Sequence, residues 1–256
     1  MSLFRGIAVR VLQLLGIVKS QNRELVNDHE AAVESFGDAW LSQDLPHLQW
    51  KIVETQLAQM IRGVWAPEFE TFRRSIELCS RFLDSNNSTE LLEIGCSSGY
   101  YSKVLEKIRP SWKYVGVDFS QEFIDYGKLK FPEIELLVGD SIDLPFLDQY
   151  FDVVVSGSVL LHVYEWKRAI EETTRVAKAI VILHRTPVYT APTMLFVKTA
   201  YEVRMIEWTF NEFELLATFE ARGFRLVEEM FVYHGDQMSI DAHKPVQKTY
   251  IFLEFD

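Results

Sequence analysis

The chain has 256 residues, of which 48% are hydrophobic and 25% are charged, and its formal net charge is −11. This length and composition are typical of a globular protein with one large domain, or of a domain with an appendage. The acidic balance disfavours nucleic acid as a partner, because binding a phosphate backbone needs clustered lysine and arginine. The two cysteines, Cys79 and Cys96, form neither a disulfide framework nor a metal-ligand spacing, so we expect a cytoplasmic protein without a metal site.

The N-terminal residues 3–18 are amphipathic at helical periodicity. This segment is too short and too interrupted to span a bilayer. Two interpretations stay open. One is a helix that packs on the domain or on a partner, and the other is a helix on a membrane surface, with Arg5, Arg10 and Lys19 near the lipid headgroups.

The next part of the chain is predicted to be helical. Residues 21–46 are mixed and polar and indicate a loop with short helical pieces. A helical pattern covers 46–64 with Pro46 in its first turn, and another begins near Pro67. We therefore assign 1–88 to an N-terminal helical segment, which is either part of the core or a cap over a site.

From residue 89, apolar β-branched runs alternate with helical patterns. Strands are predicted at 90–94, 113–117, 134–138, 152–156 and 179–183, and helices at 99–109, 120–130 and 164–178. This alternation predicts βαβ units and a parallel sheet that is covered on both faces.

The C-terminal part follows a different pattern. Residues 209–224 predict a helix with Thr209 as N-cap and Glu212 completing a capping box, and two strands follow near 224–233 and 248–255. Residues 185–208 form a long insertion before this helix. Their Pro, Tyr, Met and Phe content suits a segment that covers a substrate, although a core-packing helix would explain 194–206 equally well.

The stretch LLEIGCSSGYYSKVL (91–105) predicts a strand, a tight turn and a helix N-terminus, which together bind nucleotide-like ligands in α/β proteins. Its glycines, Gly95 and Gly99, are spaced G-x-x-x-G. A dinucleotide-binding turn needs G-x-G-x-x-G, and a P-loop needs a lysine that is missing here. The turn itself therefore does not identify its ligand.

Three acids end successive predicted strands: Glu93, Asp118 and Asp140. Asp118 lies where an acid can accept hydrogen bonds from ribose hydroxyls, which fits NAD and adenosyl cofactors equally. An electronegative crevice of this kind suits a cationic ligand better than a pyrophosphate.

These motifs, in this order, resemble the class I S-adenosylmethionine-dependent methyltransferases. The resemblance covers 89–184 through EIGCSSG (93–99), VGVDFS (115–120), GDSIDLPF (139–146), FDVVVSGSVLLHV (151–163) and ETTRVAK (172–178). It implies an α/β Rossmann-like three-layer sandwich over 89–256, whose seven-stranded, mostly parallel sheet has an antiparallel last strand. The turn departs from the family at Ser97, where a glycine is common.

The resemblance also implies cofactor contacts. The methionine part of S-adenosylmethionine is expected to lie against the first turn, at Glu93, Gly95, Cys96, Ser97 and Gly99.

The remaining implied contacts follow the later strands. Asp118 is expected to bind the ribose, with Phe119 beside the adenine. Asp140 and Ser141 are expected to bind the adenine edge, and Ser156 to lie under the sulfonium and its methyl group.

Two histidines are candidate general bases, because methylation of a hydroxyl usually needs a base near the line of attack. His162 occupies a position where this family often carries histidine, so a structural role stays open. His184 ends the fifth predicted strand, where substrate groups gather in such sheets.

We therefore predict a methyltransferase that acts on a small molecule (a sugar, a lipid-linked compound or another metabolite), with oxygen favoured as the acceptor atom. The alternatives are an NAD-dependent oxidoreductase and a non-catalytic cofactor-binding or interaction protein of the same fold. A nucleic-acid methyltransferase is disfavoured, since TPV (186–188) does not match the N-P-P-Y type of motif.

Overall fold

The computed structural model describes residues 23–83, 88–232 and 245–255. The amphipathic segment 3–18, together with His234 and His243, lies outside these ranges. Within them, no helix is long and apolar enough to cross a membrane.

The N-terminal part contains the two predicted long helices. It comprises β1 (Arg23–Leu25), α1 (His29–Phe36), a 3-10 turn (Gly37–Leu41), α2 (Leu45–Ile61) and α3 (Pro67–Cys79). A proline lies in the first turn of both α2 and α3, where its missing N–H costs nothing. Strand β1 was not predicted. It has only three residues, two of them charged, so it shows no strand pattern, and it pairs with a hairpin that is distant in the sequence.

The predicted βαβ alternation is confirmed. The elements are β2 (Glu90–Ile94), α4 (Tyr101–Ile108), β3 (Lys113–Asp118), α5 (Gln121–Lys130), β4 (Glu135–Val138), β5 (Phe151–Gly157), α6 (Trp166–Val176) and β6 (Ala177–Tyr189). Strands β6, β5, β2, β3 and β4 lie side by side in this order and are parallel. Their carboxyl ends therefore meet at one edge of the sheet.

The C-terminal hairpin is also confirmed. Helix α7 (Glu212–Glu220) precedes β9 (Phe224–Phe231) and β10 (Val246–Glu254). Strand β10 lies antiparallel between β6 and β9. With β2 to β6, these two strands complete the predicted seven-stranded sheet, whose last strand is antiparallel.

The insertion forms strands, so the helix considered for 194–206 is wrong. Strands β7 (Met194–Ala200) and β8 (Val203–Asn211) form an antiparallel hairpin, with β1 on its outer side and β8 beside the end of β6. Alternation explains the outcome, because Leu195 and Val197 point into the core while Phe196 and Lys198 are only half-buried. The described sheet thus has ten strands instead of seven.

The predicted capping box is wrong as well. Thr209 is a buried residue of β8, and the N-cap of α7 is Asn211, whose Oδ1 accepts a hydrogen bond from Glu214 N at 3.0 Å. Asn211 Nδ2 also donates to the carbonyls of Thr190 and Ala191. An asparagine can cap the helix and tie the preceding loop at once, whereas a threonine hydroxyl offers only one donor.

Alternate residues of the central strands enter two separate apolar clusters, as expected for a sheet that is buried on both faces. Leu92, Val154 and Val181 pack with α6 and α7 on one face. Leu91 and Val153 pack with α3 and α4 on the other. The division of the chain at 88/89 stays a prediction, since α3 shares its core with the sheet.

Helix α7 offers a matched pair for testing this packing. Phe219 is fully buried and its ring stacks on Phe252 at 4.2 Å between centroids, whereas Phe213 is 82% exposed. We expect Phe219→Ala to lower the free energy of unfolding by about 3–5 kcal/mol, because it leaves a core cavity. Phe213→Ala is expected to change it by less than about 0.5 kcal/mol. Urea denaturation of both variants measures the difference, and equal losses would contradict the packing of α7.

Candidate functional site

A cavity of about 1210 Å³ lies at the carboxyl ends of the parallel strands. Its walls include residues at or after the ends of β2, β3, β4 and β5, together with Arg185 of β6. Trp40 from the 3-10 turn, Gln49 from α2 and Tyr201 from the turn of the β7–β8 hairpin also line it. The N-terminal segment and the insertion thus both contribute to the walls of one cavity.

The turn after β2 is tied to the neighbouring strand. The N–H groups of Gly95 and Cys96 both donate to Val117 O, at 2.7 and 3.0 Å. Gly95 and Ser97 have φ values of 66° and 51°. A Cβ at Gly95 would lie 2.1 Å from Val159 Cγ2, so only glycine fits there. Ser97 makes the turn at a position where the family commonly has glycine.

Asp118 is held against this turn by two charge-assisted hydrogen bonds. Its Oδ2 accepts from Ser97 N at 2.8 Å, and its Oδ1 accepts from Ser120 N at 3.0 Å. The carboxyl group is largely buried, and burial raises its pKa to about 6 against the opposing effect of these bonds. Asp118 is therefore ionised at neutral pH and oriented before any ligand binds.

Glu93 lies deeper in the cavity and is 3% exposed. Tyr114 Oη donates to its Oε2 at 2.5 Å. Burial, with a smaller contribution from the charge of Asp118, raises the pKa of Glu93 to about 8. The ionised carboxylate of Glu93 is thus unfavourable in the free protein, and a bound cation beside it would lower its pKa and favour the ionised form.

Most of the predicted cofactor residues line this cavity. The lining includes Glu93, Gly95, Ser97, Asp118, Phe119, Asp140 and Ser141. Asp140 is exposed, and its Oδ1 accepts from Ile142 N at 3.1 Å.

Three predicted residues do not line it: Cys96, Gly99 and Ser156. Cys96 packs with Ile124 and Leu136 in a small apolar cluster. A Cβ at Gly99 would come within 3 Å of Ile134 and Leu136, so this glycine allows α4 to pack on β4. Ser156 is 1% exposed, below the cavity floor formed by Gly157 and Ser158.

His184 also lies outside the cavity lining and is fully buried. Its Nε2 is 3.1 Å from Tyr101 Oη and its Nδ1 is 2.9 Å from Thr249 Oγ1. Burial lowers the pKa of His184 well below its usual range. With both ring nitrogens engaged by protein groups, this imidazole is poorly placed to take a proton from a bound acceptor.

His162 does line the cavity. Its Nδ1 lies 2.7 Å from the carbonyl oxygen of Ile206, which can only accept, so Nδ1 carries the proton and Nε2 has a lone pair. Burial lowers the pKa of His162, so the ring is neutral at pH 7. The edge of Trp40 packs on it at 4.9 Å between centroids.

Several cavity residues were not identified from the sequence. They include Trp40, Gln49, Tyr100, Arg185, Tyr201 and Gln247. Gln49 Nε2 donates to Ser97 Oγ at 3.2 Å, which links α2 to the glycine turn. Only Arg185 had a sequence cue, because it directly follows the end of a predicted strand of a parallel sheet.

The residues present fit an adenosyl cofactor. The turn has a conformation that excludes a side chain at Gly95, Asp118 offers an oriented carboxylate, and the crevice is acidic near β2, β3 and β4. Comparison with known proteins agrees with this fit. Residues 92–183 match a family model described as a methyltransferase domain.

Two curated relatives and one solved structure extend this comparison. A demethylmenaquinone methyltransferase of Staphylococcus aureus is 31% identical over 162 residues, which is 57% of this chain and 67% of the relative. That of Bacillus cereus is 33% identical over 104 residues, 38% of this chain and 44% of the relative. The structure of a 1,6-didemethyltoxoflavin-N1-methyltransferase from Burkholderia thailandensis, with S-adenosylhomocysteine bound, has a TM-score of 0.61 at 15% identity, and covers 94% of this chain and 98% of that one.

The sequence motifs, the cavity at the strand ends and the extent of the match to the Staphylococcus aureus enzyme agree with one another. This chain belongs to the class I S-adenosylmethionine-dependent methyltransferases, and S-adenosylmethionine is its cofactor.

Proposed function

We propose that the chain transfers the methyl group of S-adenosylmethionine to an oxygen atom of a small aromatic molecule, with His162 as the general base. The observation that carries this proposal is the neutral imidazole of His162, which lines the cavity and whose Nδ1 is engaged by Ile206 O, so that Nε2 keeps its lone pair. Removing a proton from a hydroxyl group is the step for which such a base is needed.

The cavity supports a small acceptor that binds beside the cofactor. Its volume of about 1210 Å³ exceeds the roughly 300–1,000 Å³ that is usual for one drug-sized ligand. Trp40, Tyr100, Tyr164 and Tyr201 contribute aromatic surface to its walls. The name of the Staphylococcus aureus relative supports an acceptor with an aromatic ring system, since demethylmenaquinone contains a naphthoquinone ring.

We assign the cofactor to the β2–β4 side of the cavity. The turn of Gly95 and Ser97 would hold its methionine part near Glu93, and Asp118 would accept from its ribose. The bound cofactor supplies an electrophilic methyl group on a positively charged sulfur. The contribution of the protein is to hold the acceptor hydroxyl against that methyl and to take its proton at His162 Nε2.

Asp118→Asn tests the cofactor assignment. An amide oxygen can still accept from one of the two backbone N–H groups, but the amide nitrogen cannot accept from the other. We expect the affinity for S-adenosylhomocysteine to fall at least tenfold, or about 1.4 kcal/mol, in isothermal titration. Asp152→Asn is the control, since Asp152 Oδ2 also accepts a backbone N–H, from Glu90, at the opposite end of the sheet. Unchanged binding by Asp118→Asn would contradict the assignment.

The protonation state of Glu93 is expected to change when the ligand binds. Because burial raises the pKa of Glu93 to about 8, the free protein holds this carboxyl mostly protonated at pH 7. A ligand cation beside it lowers that pKa, so binding of S-adenosylhomocysteine at pH 7 is expected to release close to one proton, and at pH 9 almost none. Titrations in two buffers of different ionisation enthalpy count the protons. If Glu93→Gln released as many protons on binding as wild type, the protons would not come from Glu93.

His162→Gln tests the acceptor chemistry. We expect the methyl-transfer rate to fall about 10²-fold or more, with binding of S-adenosylhomocysteine within twofold of wild type. His47→Gln is the matched control, because His47 packs on Tyr126 and does not line the cavity. Because burial lowers the pKa of His162 and the neutral ring is the active form, protonation of this ring should reduce the wild-type rate only at a lower pH than an ordinary histidine would give.

The assay uses aromatic hydroxyl and amine acceptors together with demethylmenaquinone, and NMR of the product identifies the methylated atom. Methylated oxygen supports the proposal. Methylation only at nitrogen or carbon, or a His162→Gln variant with full activity, overturns it. Cofactor binding without transfer to any acceptor would instead favour the non-catalytic alternative.

A further inference from the structure

Arg185 carries a positive charge into the cavity, and the charge of Glu68 acts on it without direct contact. Its side chain lines the cavity, and its Nε is buried without a hydrogen-bond partner. No carboxylate of the described residues forms an ion pair with it. Lys198, another cation of the wall, differs because Glu207 pairs with it at 2.7 Å. A guanidinium cannot escape the cost of burial by losing its proton, so Arg185 needs an anionic partner.

The backbone directs Arg185 toward the cavity. Its φ of 58° is rare for a residue with a side chain. The pairing of β6 with β10 shifts register at this point, between Lys248 and Tyr250. Such a bulge re-aims a side chain, and here Arg185 reaches the cavity while His184 stays within the core. Arg185 N donates to Thr249 Oγ1 at 3.4 Å, and Ser158 Oγ donates to Arg185 O at 3.3 Å, so both neighbouring strands hold this conformation.

A second unpaired polar atom lies in the same cavity. Gln247 Oε1, on β10, is buried without a partner among the described residues. Gln247 is paired with Pro187, two residues beyond Arg185 on β6. A donor and an acceptor thus stand unsatisfied on adjacent strands. Buried polar groups are normally paired, so the two together indicate a polar ligand.

Asp118, the acid proposed to bind the ribose, lies away from this point. In the sheet order, β6 is separated from β3, which ends in Asp118, by β5 and β2. Three strand spacings amount to about 14 Å. Tyr101, Tyr100 and Glu68 lie nearer and act on the charge of Arg185. The surroundings of Arg185 are therefore largely aromatic, with Glu68 as one acid, and a charge–charge contact there is stronger than in water.

We propose that Arg185 binds an anionic oxygen of the methyl acceptor, either a carboxylate or an ionised ring hydroxyl on a planar aromatic molecule. Gln247 accepts a hydrogen bond from a neighbouring O–H or N–H of the same molecule. This inference rests on the proposed function, because it places the acceptor beside the cofactor in one cavity. It narrows the acceptor class to acidic aromatic compounds.

The test compares charged and neutral probes of the same shape. We titrate the chain, with and without saturating S-adenosylhomocysteine, with 2-naphthoate and 2-naphthamide, and with 4-nitrophenolate and 4-nitroaniline at pH 8. We expect at least one anion to bind ten or more times more tightly than its neutral counterpart. The first pair reports on a carboxylate and the second on an ionised hydroxyl. Equal binding within both pairs overturns the proposal.

Three variants locate the effect. Arg185→Gln should abolish the preference for the anion and leave the affinity for S-adenosylhomocysteine within twofold. Arg81→Gln, which removes a charge outside the cavity, should keep the preference. If Arg185→Gln does not fold, as judged by near-UV circular dichroism, Arg185→Lys replaces it. Arg185→Lys keeps the positive charge but loses the bidentate guanidinium donor. We therefore expect it to bind the anion at least threefold more weakly than wild type does, and to bind the neutral probe as tightly as wild type.

Three outcomes overturn the inference while leaving the proposed function intact. The first is an anion preference that survives in Arg185→Gln, and the second is an unchanged affinity of Arg185→Lys for the anion. The third is a tenfold loss of S-adenosylhomocysteine binding in Arg185→Gln, which would make Arg185 the partner of the cofactor's own carboxylate. Failure of the proposed function looks different, because it would appear as methylation only at nitrogen or carbon or as full activity of His162→Gln, whereas the probe preference is measured by binding alone.

Discussion

The hydrogen bonds that join the turn after β2 to the end of β3 are the constraint on which the rest of the site depends. Val117 O accepts from Gly95 N and Cys96 N, and the carboxylate of Asp118 accepts from Ser97 N. They fix the turn, the start of α4 and the orientation of Asp118 in one arrangement. Val159, in the segment after β5, lies so close to Gly95 that a Cβ there would collide with it. A side chain at Gly95 would therefore also displace this segment, which forms part of the cavity floor.

The strand order separates three acids from Arg185 along the edge of the sheet. Glu93 and Asp118 lie at the ends of β2 and β3 and Asp140 follows β4, whereas Arg185 belongs to β6. Strand β5 runs between them and leads to the segment that carries His162. A cationic cofactor on the acidic side and an anionic acceptor on the other would each meet a complementary charge, with the base between their strands. The order of the strands would thus place two ligands of opposite charge side by side, as methyl transfer between them requires.

The sequence was sufficient to predict the parallel sheet, because β2, β3, β5 and β6 are apolar on both faces and the helices between them are amphipathic. It was insufficient for the insertion, whose strands depend on pairing β7 with β8 and with the distant β1. Thr209 illustrates the limit, since its local context forms a capping box, yet the ladder of β8 continues to Asn211 and overrides it.

The same contrast holds within the site. The predicted cofactor positions Glu93, Gly95, Asp118 and Asp140 lie in local motifs at the ends of single strands, and all four line the cavity. The proposed acceptor side includes Trp40, Tyr201 and Gln247, which are far apart in the chain and meet only in the fold. His162 lines the cavity and His184 does not, a difference that the spacing of residues in the sequence cannot show. At the bulge between β6 and β10, His184 stays in the core and Arg185 faces the cavity.

The central claim is that the two halves of the cavity bind different ligands, with the cofactor on the β2–β4 side. A crystal structure of the chain with S-adenosylhomocysteine tests this most directly. The account predicts the amino-acid part of the ligand against the turn at Gly95, its ribose hydroxyls on Asp118, and open space between His162 and Arg185. A ligand whose carboxylate lies on Arg185, or whose ribose does not contact Asp118, would contradict it.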